Sequence, residues 1–209
     1  MYEREILTEL ERLYPDARPA LHYKSPYELL VAVILSAQCT DERVNKVTAE
    51  LFKEHNTPAT MLELTQGELE RYIYSCGFYH NKAAHILSAS KDIVEKFNGE
   101  VPGDHTALKS LAGVGQKTAN VVYAVAFGGD AIAVDTHVFR VSNRLGLAHA
   151  DTPEKTEKQL NEVIPKSDWS NAHHWLIFHG RRVCHSQKPD CTNCTLNKWC
   201  AFYGKTFKS

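Results

Sequence analysis

Four of the six cysteines fall within seventeen residues, Cys184, Cys191, Cys194 and Cys200, in the spacing C-x6-C-x2-C-x5-C. No other feature restricts the folding of this chain as strongly. The N-terminus, MYEREILTELERLYP, is charged and amphipathic rather than an export signal, so a disulfide framework is not the expected use of these thiols. Four closely spaced thiolates instead close a tetrahedral all-sulfur site, on zinc or on an iron–sulfur cluster. Spacing alone does not choose between the two metals. Either one pins the C-terminal segment, with Trp199, Phe202 and Tyr203 available to shield the centre and Lys188 and Lys198 to offset its charge. Cys39 and Cys76 lie in apolar surroundings and read as inert core thiols.

The charge is as uneven as the cysteines. The net charge is −1 over 209 residues. Residues 181–209 hold six basic residues (Arg181, Arg182, Lys188, Lys198, Lys205, Lys208) against one acid, Asp190, while the rest of the chain is acidic. That asymmetry is either a solvated basic tail or a cationic face on a neutral protein. At 43% hydrophobic and 23% charged residues, the chain is neither disordered nor collagen-like. The longest apolar run, Leu29 to Leu35, is too short to span a membrane.

The periodicity is helical almost throughout, which predicts an all-α fold. Ile6, Leu7, Leu10 and Leu13 share one helix face. Ser25-Pro26 caps a second helix, with Glu28 expected to complete a capping box. Thr40 starts a third. Residues 81–97 carry a stripe of Ala83, Ile86, Leu87, Ser90, Val94 and Phe97, stopped by Asn98-Gly99. Further helices are expected near 104–110, 116–127, 136–146, 153–164 and 169–181, the last two started by Thr152-Pro153 and Asp168.

Two motifs carry chemistry. In LAGVGQKTA, residues 111–119, Gly113 and Gly115 allow a tight turn into a helix whose free N–H groups and positive end suit a phosphate; an ordinary turn between helices has the same pattern. Lys117 sits in the first turn of the apolar helix KTANVVYAVAF, where burial and the helix dipole both drive a lysine toward the neutral, nucleophilic amine; a surface lysine reaching water is the plainer reading. In VDTHVFRV, residues 134–141, Asp135 is placed to cap a helix. The helix from Lys117 carries the chain about 16 Å away, and the eight residues returning to Asp135 span up to about 26 Å. Amine and carboxylate are therefore able to meet.

LSAQCTD (residues 35–41), LAGVGQKTANVV, VDTHVFRV and the cysteine tail together resemble the endonuclease III family, helix-hairpin-helix DNA glycosylases with AP lyase activity and a [4Fe–4S] cluster. The likeness runs from about residue 20 to 200. It implies two helical domains with a DNA-binding cleft between them: a six-helix barrel over 20–130 and an iron–sulfur domain formed by 1–19 plus 131–209. It implies excision of oxidised pyrimidines from damaged double-stranded DNA, with Lys117 forming a Schiff base and Asp135 assisting, then strand cleavage 3′ to the abasic site. Cys184, Cys191, Cys194 and Cys200 would hold the cluster. Gly113, Gly115, Thr118, His137 and Lys188 would contact the DNA backbone, Gln38 would fill the gap left by the flipped base, and Phe78 would wedge the opposite strand. The plainer roles are a helix-end polar residue for Gln38, a partly buried core ring for Phe78 and a structural histidine for His137. A cytoplasmic bacterial monomer, nucleoid-associated when bound to DNA and without membrane contact, is expected. A monofunctional adenine-mismatch glycosylase and a non-catalytic iron–sulfur DNA-binding protein are the alternatives. The chain departs from the family pattern at Phe78, Lys109, Ala112, Gln116 and Phe139; Ala112 and Gln116 are expected to loosen the hairpin and remove a cation.

Overall fold

The computed structural model describes residues 2–207; Lys208 of the basic tail lies outside them. Among the described residues every regular element is helical: α1 Glu3–Leu13, α2 Pro26–Ser36, α3 Asp41–Leu51, α4 Pro58–Met61, α5 Gln66–Ile73, α6 Tyr79–Lys96, α7 His105–Ser110, α8 Gln116–Phe127, α9 Thr136–Leu145, α10 Pro153–Val163, α11 Trp169–Arg182 and α12 Ala201–Phe207. None of these helices is long and apolar enough to cross a membrane.

Polar side chains decide where the helices begin. The Ser25 hydroxyl accepts the Glu28 N–H, and Pro26 occupies the first turn of α2. The expected capping box does not close there. The Glu28 carboxylate reaches past the cap to the Lys24 N–H at 2.6 Å. Thr40, Asp104 and Thr152 cap α3, α7 and α10. Asp168 does not cap α11; its carboxylate accepts the Ser167 hydroxyl within a 3-10 turn that runs into the helix. The sequence reading passed over α4, α5 and α12. Two of these have full capping boxes, Thr57 with Thr60 and Thr65 with Glu68.

The chain forms two compact units, Pro19–Gly129 and the discontinuous pair Met1–Arg18 with Asp130–Ser209. In the first unit α2 is buried continuously from Tyr27 to Leu35 and packs against α3, α6 and α8. That all-round burial explains why its apolar residues form a run rather than a stripe. On α6, Ala83, Ile86 and Ser90 are buried as expected, but Val94 is exposed and Ile93 takes the inward position. Cys76 is buried, and burial followed by the neighbouring Cys39 thiol pushes its pKa up to about 12. Cys39 itself is only half-buried.

The second unit packs α11 against α9 and α1, around a core that includes Leu10, Val138, Val141, Leu176 and Leu196. The helices meet closely at Gly180, where an added Cβ would stand 2.9 Å from His137 Nδ1. The Tyr14 hydroxyl reaches His179 Nδ1 at 2.9 Å, so α1 and α11 also share a buried polar contact. After Arg182 the backbone continues through turns and bends to α12.

Candidate active-site hairpin and cysteine loop

The turn between α7 and α8 is set by its own residues. Leu111 and Val114 are buried pegs, while Gly113 and Gly115 face out. Gly113 has φ +75, and a Cβ there would lie 2.8 Å from His85 Cβ, so both conformation and space require glycine. Gly115, the N-cap of α8, brings no capping side chain to the N–H groups of the first turn. Lys117 follows, exposed, with Thr118 half-buried behind it. The surface position that was the plainer reading of Lys117 is the one found. The pegs face the core and the lysine faces out, because 3.6-residue periodicity separates Lys117 from Ala119 and Val122, which are buried.

The hairpin is tied rather than loosened. Lys109 Nζ donates to Gln116 Oε1 at 2.8 Å, linking α7 to α8. Gln116 Nε2 donates to Asn120 Oδ1, which His105 Nε2 also meets at 2.6 Å. Two of the departures from the family pattern thus bond to each other, and Lys109 places its cation beside Gln116.

Gln38 and Phe78, in the same unit, share an unforeseen feature. Among the described residues four non-glycine residues have positive φ: Gln38 (52), Phe78 (58), Asn98 (53) and Lys188 (48). Three of these were singled out from sequence as DNA contacts. Side chains rarely adopt this backbone without surrounding structure that enforces it, and such strain gathers at functional sites. Phe78 is 65% exposed, which sets aside the core-ring reading, and Gln38 is also exposed.

Asp135 belongs to the second unit. Its Oδ1 accepts the N–H groups of His137 and Val138, both at 2.8 Å, capping α9. Both bonds use one oxygen, leaving Oδ2 outside the cap. His137 is half-buried against Gly180, its Nδ1 3.1 Å from Arg140 Nη2, and burial pushes its pKa down. Structural contacts therefore account for much of its surface.

Two arginines one turn apart on α9 hold the cysteine loop. Arg140 donates to the carbonyls of Cys184 and Gly180, each at 3.1 Å. Arg144 donates to the carbonyls of His185 and Ser186, and its Nη1 lies 3.5 Å from Cys184 Sγ. Cys194 Sγ lies 3.7 Å from His179 Nε2. Sequence reasoning missed Arg140, Arg144 and His179. The only signal was the i, i+4 pair of arginines following Asp135. All four cysteines line one cavity, with Phe202, Tyr203 and Arg144; Trp199 instead lies under Lys198 Nζ, 3.9 Å from the ring centroid. Burial pushes Cys194 up to about 11, and its three neighbouring thiols add to the shift. Four sulfur donors lining one cavity are the donor set of a soft metal centre. Among the described residues no three His, Cys, Asp or Glu side chains converge closely enough to hold one metal ion.

The HhH-GPD model of base excision DNA repair proteins matches residues 31–166, which places the fold among helical base-excision enzymes. Endonuclease III of Haemophilus influenzae is 48% identical over 96% of this chain and 95% of its own, and that of Escherichia coli K12 is 47% identical with the same shares covered. A solved structure of a trapped endonuclease III–DNA covalent intermediate superposes with a TM-score of 0.93, at 47% identity and 98% coverage of both chains. The chain belongs to the endonuclease III family.

Proposed function

We propose that this enzyme, a base-excision DNA glycosylase and lyase, removes oxidised pyrimidines from double-stranded DNA through a covalent bond to Lys117. One observation carries the reading: Lys117 stands exposed on the first turn of α8, directly after a left-handed glycine turn with no capping side chain. Backbone N–H groups at Gly113 and Gly115 are suited to a phosphate there. The covalent DNA intermediate of a relative 47% identical supports the same chemistry.

With the damaged base turned out of the stack, the neutral amine of Lys117 attacks C1′. The C1′–N bond breaks, its electron pair leaves with the base, and the base takes up a proton. The attacking nitrogen gives up one of its two protons, its lone pair then opens the sugar as the C1′–O4′ bond breaks and O4′ takes up a proton, leaving an iminium that keeps one N–H between Lys117 and C1′. Loss of a proton from C2′ expels the 3′ phosphate as the C3′–O bond breaks, and water then releases the lysine. Asp135 accepts the proton of the lysine ammonium and stabilises positive charge on the sugar. Gln38 fills the vacated position, Phe78 wedges the opposite strand, and Thr118, His137 and Lys188 contact the sugar-phosphate backbone.

Cys184, Cys191, Cys194 and Cys200 hold a [4Fe–4S] cluster. The reading is supported by four sulfurs that line one cavity. When bound, the cluster would tie these four sulfurs together, and with them residues 184–200, the segment carrying Lys188. The enzyme works as a monomer on chromosomal DNA in the bacterial cytoplasm.

Borohydride reduction tests the mechanism. Incubated with a duplex bearing thymine glycol or an abasic site, the protein is expected to form a covalent adduct that Lys117→Ala abolishes. No adduct with the unaltered protein overturns the proposal. Asp135→Asn preserves a good N-cap and so isolates the chemistry: DNA binding persists while excision falls by about 10²–10⁴-fold. Unchanged excision removes Asp135 from the mechanism.

A further inference from the structure

Helix α6 carries a buried charge. Lys82 is 5% exposed, and its ammonium donates to the carbonyls of Leu35 at 2.8 Å and Ala37 at 2.6 Å. These carbonyls close the C-terminal end of α2, where unpaired acceptors and the negative end of the helix dipole favour a cation. Burial pushes the ammonium's pKa down, so the two carbonyls are what compensates the charge in place.

What those carbonyls adjoin gives the contact its meaning. The Ala37 carbonyl belongs to the peptide that enters Gln38, whose backbone is left-handed. The peptide leaving Gln38 runs close to the chain entering Phe78, since a Cβ on Gly77 would stand 3.8 Å from the Gln38 carbonyl oxygen. The same lysine reaches the second left-handed residue through the main chain: its N–H donates to the Phe78 carbonyl at 3.1 Å. One residue therefore holds the peptide before Gln38 with its side chain and the carbonyl of Phe78 with its backbone. A compact ammonium with three donors at the end of a flexible stem is able to serve two carbonyls in so small a space.

We propose that Lys82 is a positioning residue for base excision, coupling Gln38 and Phe78 into one preset probe of the duplex by fixing the backbone that presents both. The proposal rests on the reading of Gln38 and Phe78 as residues that enter the DNA. It differs from a general stabilising role in one respect: substitution leaves the backbone bond from residue 82 to the Phe78 carbonyl in place, so the effect of the Lys82 side chain on excision must run through Gln38.

A double-mutant cycle reads that difference. In single-turnover excision on a thymine-glycol duplex, Gln38→Ala and Lys82→Met are each expected to slow the reaction by about tenfold, and the double variant to be no slower than Gln38→Ala within about twofold. Thermal midpoints measured alongside separate loss of fold from loss of rate. Should Lys82→Met not fold, Lys82→Arg keeps the charge but displaces it, and its slowing is expected to vanish in the Gln38→Ala background. Losses that multiply in the double variant show that Lys82 acts independently of Gln38 and overturn the proposal. If Gln38→Ala alone leaves excision unchanged, the DNA-contact reading falls, and the proposal with it.

Discussion

The glycine hairpin at residues 111–115 and the cysteine loop at 184–200 are both assigned to phosphate, yet they are held in opposite ways. The hairpin is held from within. Its pegs, its left-handed glycine, the Asp104 cap and the Lys109–Gln116 bond all lie within about a dozen residues of one another. The loop contributes one fully buried apolar side chain, Leu196, and is held from without, by Arg140 and Arg144 some forty residues earlier in the chain. A segment with so little core of its own needs external ties or a metal to stay folded. The hairpin needs only correct local chemistry.

Perturbing each segment separately tests this contrast. The largest effect is expected from Cys194→Ser, which would remove a ligand of the proposed cluster: residues 184–200 become open to protease and hydrogen exchange while the Pro19–Gly129 unit keeps its protection. Equal loss in both units would erase the distinction. Gly113→Ala should act only on the hairpin, costing about 1–3 kcal/mol from the left-handed backbone and more if His85 cannot retreat. Denaturant midpoints measure it, and a neutral result would mean that the turn is not conformationally restricted.

Acid should favour the opposite outcome. Burial first, then His173, pushes His174 on α11 down from 6.5 to about 3. The unfolded chain takes up that proton near pH 6.5 and the folded chain only near 3. Stability is thus complete above the upper value and falls as pH drops through the window, by about 1.4 kcal/mol at one unit below 6.5. His174→Gln should flatten this dependence in the unit that carries the cysteine loop. The smallest effect is expected for Lys188→Gln, which lowers the salt slope of DNA binding by about one. An unchanged slope removes Lys188 from the interface.

How well each feature was legible follows the same contrast. Ser25, Thr40 and Thr152 announced their helices because a cap acts on N–H groups two or three residues away. Glu28 and Asp168 misled because a carboxylate has several neighbouring donors or acceptors to choose from, and sequence does not rank them. Lys117 was legible as a surface lysine despite its apolar helix, and its register on the helix puts it outside. Lys109 and Gln116 looked like two independent losses, and only their 2.8 Å contact reveals a pair.

By itself the sequence determined the all-helical class, the glycine turn before Lys117, the Asp135 cap and the four-cysteine spacing. Each depends on backbone geometry repeated over a few residues, which amino-acid order records directly. Tertiary structure decided that Gln38 and Phe78 adopt left-handed backbones, that Lys82 reaches across 45 and 47 positions to two carbonyls, and that Arg144 rather than a tail lysine meets Cys184. Those contacts arise only when helices distant in sequence pack together and bring a donor to an acceptor, and periodicity along one helix holds no record of which partner it will meet.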